Sequence, residues 1–338
     1  MAYASVVKIF TIISMHNPRM PWQNQPQEES SGCGFVISGK RILTNAHVVA
    51  DNIFVQVWKI GSQNMYRAEV EAISHDCDLA ILVVKGEESQ EFWKGLMALE
   101  FGGIPLIYDK VSVVGYSIGG ENICVTEGKV CKIGPANYAH SNIELLTISI
   151  DAAINCGNSG GPVFLVNSLA VVGVAFQGNE ENNTVIPVTV IKHFIDGVDE
   201  RGKHDGFGSM GLICQSIQNS QLRKHLGMTP HMTGVLVCNN NPSSYASHVL
   251  RKHDILLSID HLPISNDGSV PFRIGGLDRI PLDHLVSMKK PMETARVKLL
   301  RDGEELEFSI LLHRVLPHDI NVGYEVVLQD IQEGRIQI

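Results

Sequence analysis

Apolar and polar positions alternate in short blocks over the first two hundred residues. Short runs rich in β-branched residues are separated by Gly, Asn, Asp and Ser turns. Runs of that length and composition predict strands rather than helices. Val6–Ile13, Phe35–Ile37, Ile42–Ala46, Ile53–Trp58, Arg67–Ile73 and Leu79–Val84 predict one six-stranded barrel. Val111–Tyr116, Ile123–Ile133, Leu145–Ile150, Val163–Val166, Val171–Phe176 and Thr184–Ile186 predict a second. Thr189–Val198 switches to helical spacing and closes this region, and the charged, glycine-bearing stretch 199–206 reads as a linker. Beyond it, strands are expected at Gly234–Val237, Asp254–Ile259, Ala295–Leu300 and Glu305–Leu312, with a helix at Leu282–Lys289.

A chain of 338 residues with 44% hydrophobic content can fill two modest cores. The net charge of −9 and the lack of a long Lys/Arg run argue against nucleic-acid binding. The seven cysteines are odd in number and lack disulfide or zinc spacing. In apolar runs such as Leu212-Ile213-Cys214 and Val235-Leu236-Val237-Cys238 they read as buried thiols of a reducing, intracellular compartment. The longest N-terminal apolar run, Val6 to Met15, contains Lys8 and is too short for a membrane span. It also lacks the basic n-region and small-residue cleavage site of a signal peptide, so the chain is expected to start at the domain, without a targeting segment.

The chemistry concentrates in Asn155-Cys156-Gly157-Asn158-Ser159-Gly160-Gly161-Pro162. A glycine-dense turn can expose one serine hydroxyl beside several backbone N–H groups, which is what nucleophilic acyl transfer requires. Ser159 is the candidate nucleophile, with the N–H groups of Gly157 and Ser159 as oxyanion donors. A residue without Cβ at 157 allows a substrate carbonyl close approach. Upstream, His47 follows the strand-like run Arg41-Ile42-Leu43 and is expected at a strand end as general base. His75-Asp76-Cys77-Asp78 offers two carboxylates to orient the imidazole, immediately before another strand. A polar loop with glycines for turning remains the simpler reading of the serine segment taken alone.

These residues resemble a known family. Thr44-Asn45-Ala46-His47, Asp78-Leu79-Ala80 and Gly157 to Pro162 are similar to the three signature blocks of the Deg/HtrA (Do-like) serine proteases. Pro21-Trp22-Gln23, Gly34-Phe35-Val36-Ile37 and Val111-Ser112-Val113-Val114-Gly115-Tyr116 resemble the plant branch, and the likeness runs from about residue 5 to 314. The resemblance implies a mostly β fold, a chymotrypsin-like double β-barrel over 1–198 followed by a PDZ-like domain over 207–314. The segment 315–338 reads as a fragment of a second PDZ-like region. It implies His47 as base, Asp78 rather than Asp76 as orienter, Ser159 as nucleophile, and an oxyanion hole of Gly157 and Ser159. Ser209, Met210, Gly211 and Leu212 become the loop that binds a peptide's terminal carboxylate. A β-rich packing domain is the plainer reading of that region.

The same resemblance implies an ATP-independent serine endopeptidase acting on unfolded or damaged proteins. It further implies a trimer-based homo-oligomer, an organelle (mitochondrion or chloroplast), and no metal or organic cofactor. Two departures weaken the expected activity: Cys156 stands where the family usually has proline, and the loop before Val185 is shortened. A peptide-binding, chaperone-like homologue with reduced or no proteolysis is the alternative, and an esterase using the same serine is a third reading.

Overall fold

Twelve strands form where the apolar runs predict them, and their hydrogen bonding closes them into two barrels. The computed structural model describes residues 2–14, 20, 22–117, 120, 122–155, 157–178, 183–272 and 279–315. The first barrel runs β1 (Val6–Ile13), β2 (Glu28–Ile37), β3 (Arg41–Thr44), β4 (Asn52–Lys59), β5 (Tyr66–Ser74) and β6 (Leu79–Val84), in the order β1-β2-β3-β6-β5-β4. The second contains β7 (Lys110–Tyr116), β8 (Ile123–Asn137), β9 (Glu144–Ile150), β10 (Pro162–Leu165), β11 (Val171–Gly178) and β12 (Asn183–Pro187), in the order β10-β11-β12-β9-β8-β7. This is a chymotrypsin-like double barrel. Closure removes the unpaired backbone edges that open sheets leave.

Each barrel buries its own apolar set. Val7, Ile9, Ile42, Val55, Val57, Leu82 and Phe92 fill the first, and Val111, Val113, Ile148, Val163, Val172 and Val185 fill the second. At roughly 1.5–3 kcal/mol for each fully buried side chain, these interiors are the main favourable term holding the connecting loops in place. Outside the strands, α1 (Ala46–Val49) and α2 (Ser89–Trp93) belong to the first barrel's connections, and α3 (Val188–Arg201) follows the second.

Four expectations change. The strand expected to reach Ala46 ends at Thr44, and Ala46 begins the helical turn α1, so His47 lies on that turn rather than at a strand end. β2 begins seven residues before Phe35, because Glu28 to Ser31 pair with the far half of β1, from Ile13 to Phe10. The helix expected to stop at Val198 runs to Arg201, where Gly202 caps it with φ 73°, so Asp199–Arg201 are helix and not linker. Of the six described cysteines, all free thiols, only Cys33 and Cys77 are buried. Cys214 is exposed and Cys238 half-buried, because they lie on neighbouring strands at one margin of the second sheet.

Contacts divide the chain into two compact units, Met1–His204 and Asp205–Ile338. The second unit contains β13 (Gly208–Ser209), β14 (Leu212–Ser216), α4 (Ser220–His225), β15 (Val235–Asn240), β16 (Ile255–Ile259), β17 (Leu262–Pro263), β18 (Ser269–Pro271), β19 (Arg279–Pro281), α5 (Leu282–Ser287), β20 (Thr294–Arg301), β21 (Glu304–Leu311) and β22 (His313–Arg314). Its main sheet runs β14-β15-β16-β20-β21 with β17 beside β16, so β14 is an edge strand. The tail 316–338 lies outside the described residues, as do Cys156 and residues 179–182 of the shortened loop.

Candidate active site

The carboxylate that holds the histidine is Asp78. Its φ of 52° puts the backbone in the left-handed region, and the chain turns there from the loop 75–77 into β6. That turn aims the side chain at α1: Asp78 Oδ1 accepts the His47 backbone N–H at 2.8 Å, and Oδ2 lies 2.6 Å from His47 Nδ1. The Asp78 carbonyl in turn accepts from Ala46 N–H at 3.1 Å and Asn45 Nδ2 at 2.9 Å. Asp78 is fully buried. A carboxylate removed from water needs donors to replace the lost hydration, and His47 supplies two. Asp76, the rival carboxylate, has its carbonyl bonded by Ser141 Oγ at 2.9 Å, whereas His47 Nδ1 meets Asp78 Oδ2.

The serine comes from the second barrel. Asn155 to Pro162 connects the end of β9 to β10, and its backbone bonds fold it tightly. Asn158 N–H donates to Asn155 O at 3.0 Å, Gly161 N–H to Asn158 O at 2.9 Å and Gly160 N–H to Ala175 O at 2.9 Å. The N–H groups of Gly157 and Ser159 have no partner among the described residues, which leaves them available to an oxyanion. Gly157 has φ 98° and Gly160 φ 86°, conformations that glycine adopts without penalty. At Gly160 space is decisive as well, since a Cβ would lie 2.1 Å from the carbonyl oxygen of Cys33.

Cys33 joins this loop to the first barrel. Its N–H donates to Ser159 O at 2.8 Å, its thiol donates to Gly157 O at 2.9 Å, and its sulfur accepts from Tyr116 N–H at 3.0 Å. Its own carbonyl accepts from Thr44 Oγ1 at 2.7 Å. Burial pushes the thiol pKa up to about 12, so it is a neutral donor rather than a nucleophile. The sequence reading missed Cys33 as a site residue; the small residues Gly32 and Gly34 on either side were the available signal of close packing.

His47, Ala139, His140, Ile154, Asn155, Ser159, Phe176 and Gln177 line one cavity of about 410 Å³. The imidazole is about a third exposed there, at 37%. The Ser159 hydroxyl donates to Phe176 O at 3.4 Å, its hydrogen bond among the described residues. A rotation about χ1 is therefore needed before it meets His47, as is common where no substrate is bound. The arrangement brings together a buried carboxylate, an oriented imidazole, a hydroxyl and two free N–H donors, the groups needed for acyl transfer.

In the second unit the expected carboxylate loop is more constrained. Ser209 lies in β13, Met210 is buried, and Leu212 opens β14. Gly211, with φ 65°, donates its N–H to Ser209 Oγ at 3.0 Å and accepts from Asn241 N–H at 2.7 Å. One of the N–H groups a terminal carboxylate would use is thus already engaged.

Comparison with known proteins gives concordant results. Residues 32–174 match the trypsin-like peptidase domain model. The chain is 49% identical over 319 residues to Protease Do-like 4, mitochondrial, of Arabidopsis thaliana, covering 94% of this chain and 60% of that protein. It is 39% identical over 327 residues to Protease Do-like 2, chloroplastic, of the same plant, covering 94% and 53%. The chain thus spans little more than half the length of these relatives. Its fold matches that of the HtrA-type protease AlgW in complex with a tripeptide, with a TM-score of 0.69 at 22% identity over 92% of this chain and 94% of that one.

Proposed function

The chain belongs to the Do-like (Deg/HtrA) family of serine proteases, and from that premise we propose that it is an ATP-independent serine endopeptidase working through Ser159, His47 and Asp78. The observation that carries the reading is the double hydrogen bond from His47 to the buried Asp78 at 2.6 and 2.8 Å. It fixes a proton on Nδ1 and so leaves Nε2 with the lone pair that a base needs. Ser159 Oγ attacks the peptide carbonyl carbon while His47 Nε2 takes its proton. The carbonyl oxygen becomes an oxyanion held by the N–H groups of Gly157 and Ser159. His47 then protonates the leaving amine, and water attacks the acyl-enzyme by the same route with the roles repeated.

We further propose that the substrates are extended segments of unfolded proteins. In the second unit β14 is the edge strand of the sheet among the described residues, and an edge strand can accept a peptide by strand addition, which supports a PDZ-like role. The mitochondrial name of the relative at 49% identity, against the chloroplastic name at 39%, favours the mitochondrion as the site of action. A trimer-based homo-oligomer is part of the same proposal. A fluorophosphonate probe on the purified chain tests the central claim. Labelling abolished by Ser159→Ala supports it, whereas absence of labelling in the parent favours the binding-protein alternative.

A further inference from the structure

Two imidazoles, one from each barrel, face each other where His140 lines the cavity. His75 Nδ1 lies 2.6 Å from His140 Nε2, with ring centroids 4.9 Å apart and planes inclined at 32°. His75 follows β5, and His140 sits in the turn between β8 and β9, where it lines the cavity with His47 and Ser159. The backbone under both rings is braced independently of them. Ser141 Oγ donates to Asp76 O at 2.9 Å, and Asn142 N–H to Tyr138 O at 2.7 Å. The proposed proteolytic steps use neither ring.

We propose that His75 and His140 form an exchangeable Zn²⁺ site that spans the two barrels and closes the cavity when occupied. Its inhibitory consequence rests on the peptidase reading above, whereas the binding does not. The contact is held by one proton between two nitrogens, and the ion takes that proton's place. The donor ring shifts to its other tautomer, moving the proton to its outer nitrogen, so both facing nitrogens offer lone pairs and no net proton is lost. With Zn–N bonds of about 2.0–2.1 Å in a tetrahedral shell, the nitrogens need a separation of roughly 3.3 Å. The rings must open by less than about 1 Å, which two exposed side chains on braced turns can do.

Two protein ligands are fewer than resident zinc sites use, so water completes the shell and the ion exchanges freely. Imidazole selects zinc and its transition-metal neighbours over Mg²⁺ and Ca²⁺, which prefer oxygen. The ion would obstruct the cavity and oppose the positive charge that forms on His47 during proton transfer.

Two measurements on the intact chain test this. In equilibrium dialysis with Zn²⁺, and by the visible absorption of Co²⁺ bound in its place, His75→Gln should weaken one binding event by about tenfold or more. In fluorophosphonate labelling, Zn²⁺ but not Mg²⁺ should slow reaction of the parent, with recovery on chelation. His75→Gln should label at the parent's rate without metal and lose the zinc response. Equal Zn²⁺ binding by the parent, His75→Gln and His140→Gln, or equal zinc inhibition of parent and His75→Gln, would overturn the proposal. Zinc binding that depends on His75 in a chain that never labels would uphold the site and remove the peptidase reading instead.

Discussion

The Cys33 thiol donates to the Gly157 carbonyl over 2.9 Å while the Cys33 backbone N–H donates to the Ser159 carbonyl over 2.8 Å, so one residue of the first barrel grips the nucleophile turn of the second at two points. Losing the thiol frees the peptide that follows the first oxyanion donor. Cys33→Ala should lower turnover by about ten- to a hundredfold, the cost of a misplacement of about 1 Å, with little change in KM. Cys33→Ser keeps a short donor and should retain most activity. Peptide-cleavage kinetics with both variants check this, and equal activity of Cys33→Ala and the parent would remove Cys33 from the machinery.

The two neighbouring aspartates should separate cleanly. Asp78→Asn keeps the shape but cannot hold the Nδ1–H tautomer, and should cost about ten-thousandfold in turnover. Asp76→Asn should be close to neutral. Ser159→Ala should cost about a millionfold with the fold intact by circular dichroism. The opposite ranking of the aspartates would require a different site.

Gly160→Ala tests the seam between the barrels. A Cβ there meets the Cys33 carbonyl oxygen at 2.1 Å at a φ of 86°, so crowding adds to backbone strain. The loss should be roughly 2–5 kcal/mol. Gly61→Ala, with φ 76° and nothing within 4 Å, carries the strain alone and should cost about 1–2 kcal/mol. Denaturant melts of the two variants measure the difference.

In the second unit, His284 is buried on α5 with both ring nitrogens unpartnered among the described residues, and burial lowers its pKa from 6.5 to about 4. The unfolded chain binds this proton more readily, so stability is full above pH 6.5 and falls as pH drops from there towards 4. Between pH 7 and pH 5 the unit should lose about 2 kcal/mol through this group. His284→Leu should flatten that dependence in denaturant melts, and an unchanged slope would show that other groups set it.

Most of the fold was legible because period-two burial and turn residues are local signals. Val6–Ile13 and Leu79–Val84 coincide with the observed strands residue for residue. The misplacements share a cause. β2 extends back to Glu28 through polar residues because β1 offers a partner, and the end of β3 at Thr44 follows from Asp78 receiving Ala46 N–H and Asn45 across the barrel. Neither partner is visible in a one-dimensional pattern. His47, Ser159 and both candidate aspartates stood out by residue type and spacing. Cys33 and the His75–His140 pair did not, since their relevance depends on contacts between residues 65 or more positions apart.

The two barrels contribute unequal halves to the proposed reaction centre: His47 and Asp78 come from one, Ser159 from the other, and Cys33 ties them together. A chain in which only one barrel has formed therefore holds no complete catalytic set. During synthesis, the residues through β6 can close while the serine is still unmade, so on the proposed reading cleavage is withheld until the second barrel is built and docked. The same seam makes peptide cleavage a sensitive reporter of partial opening, lost before either barrel melts.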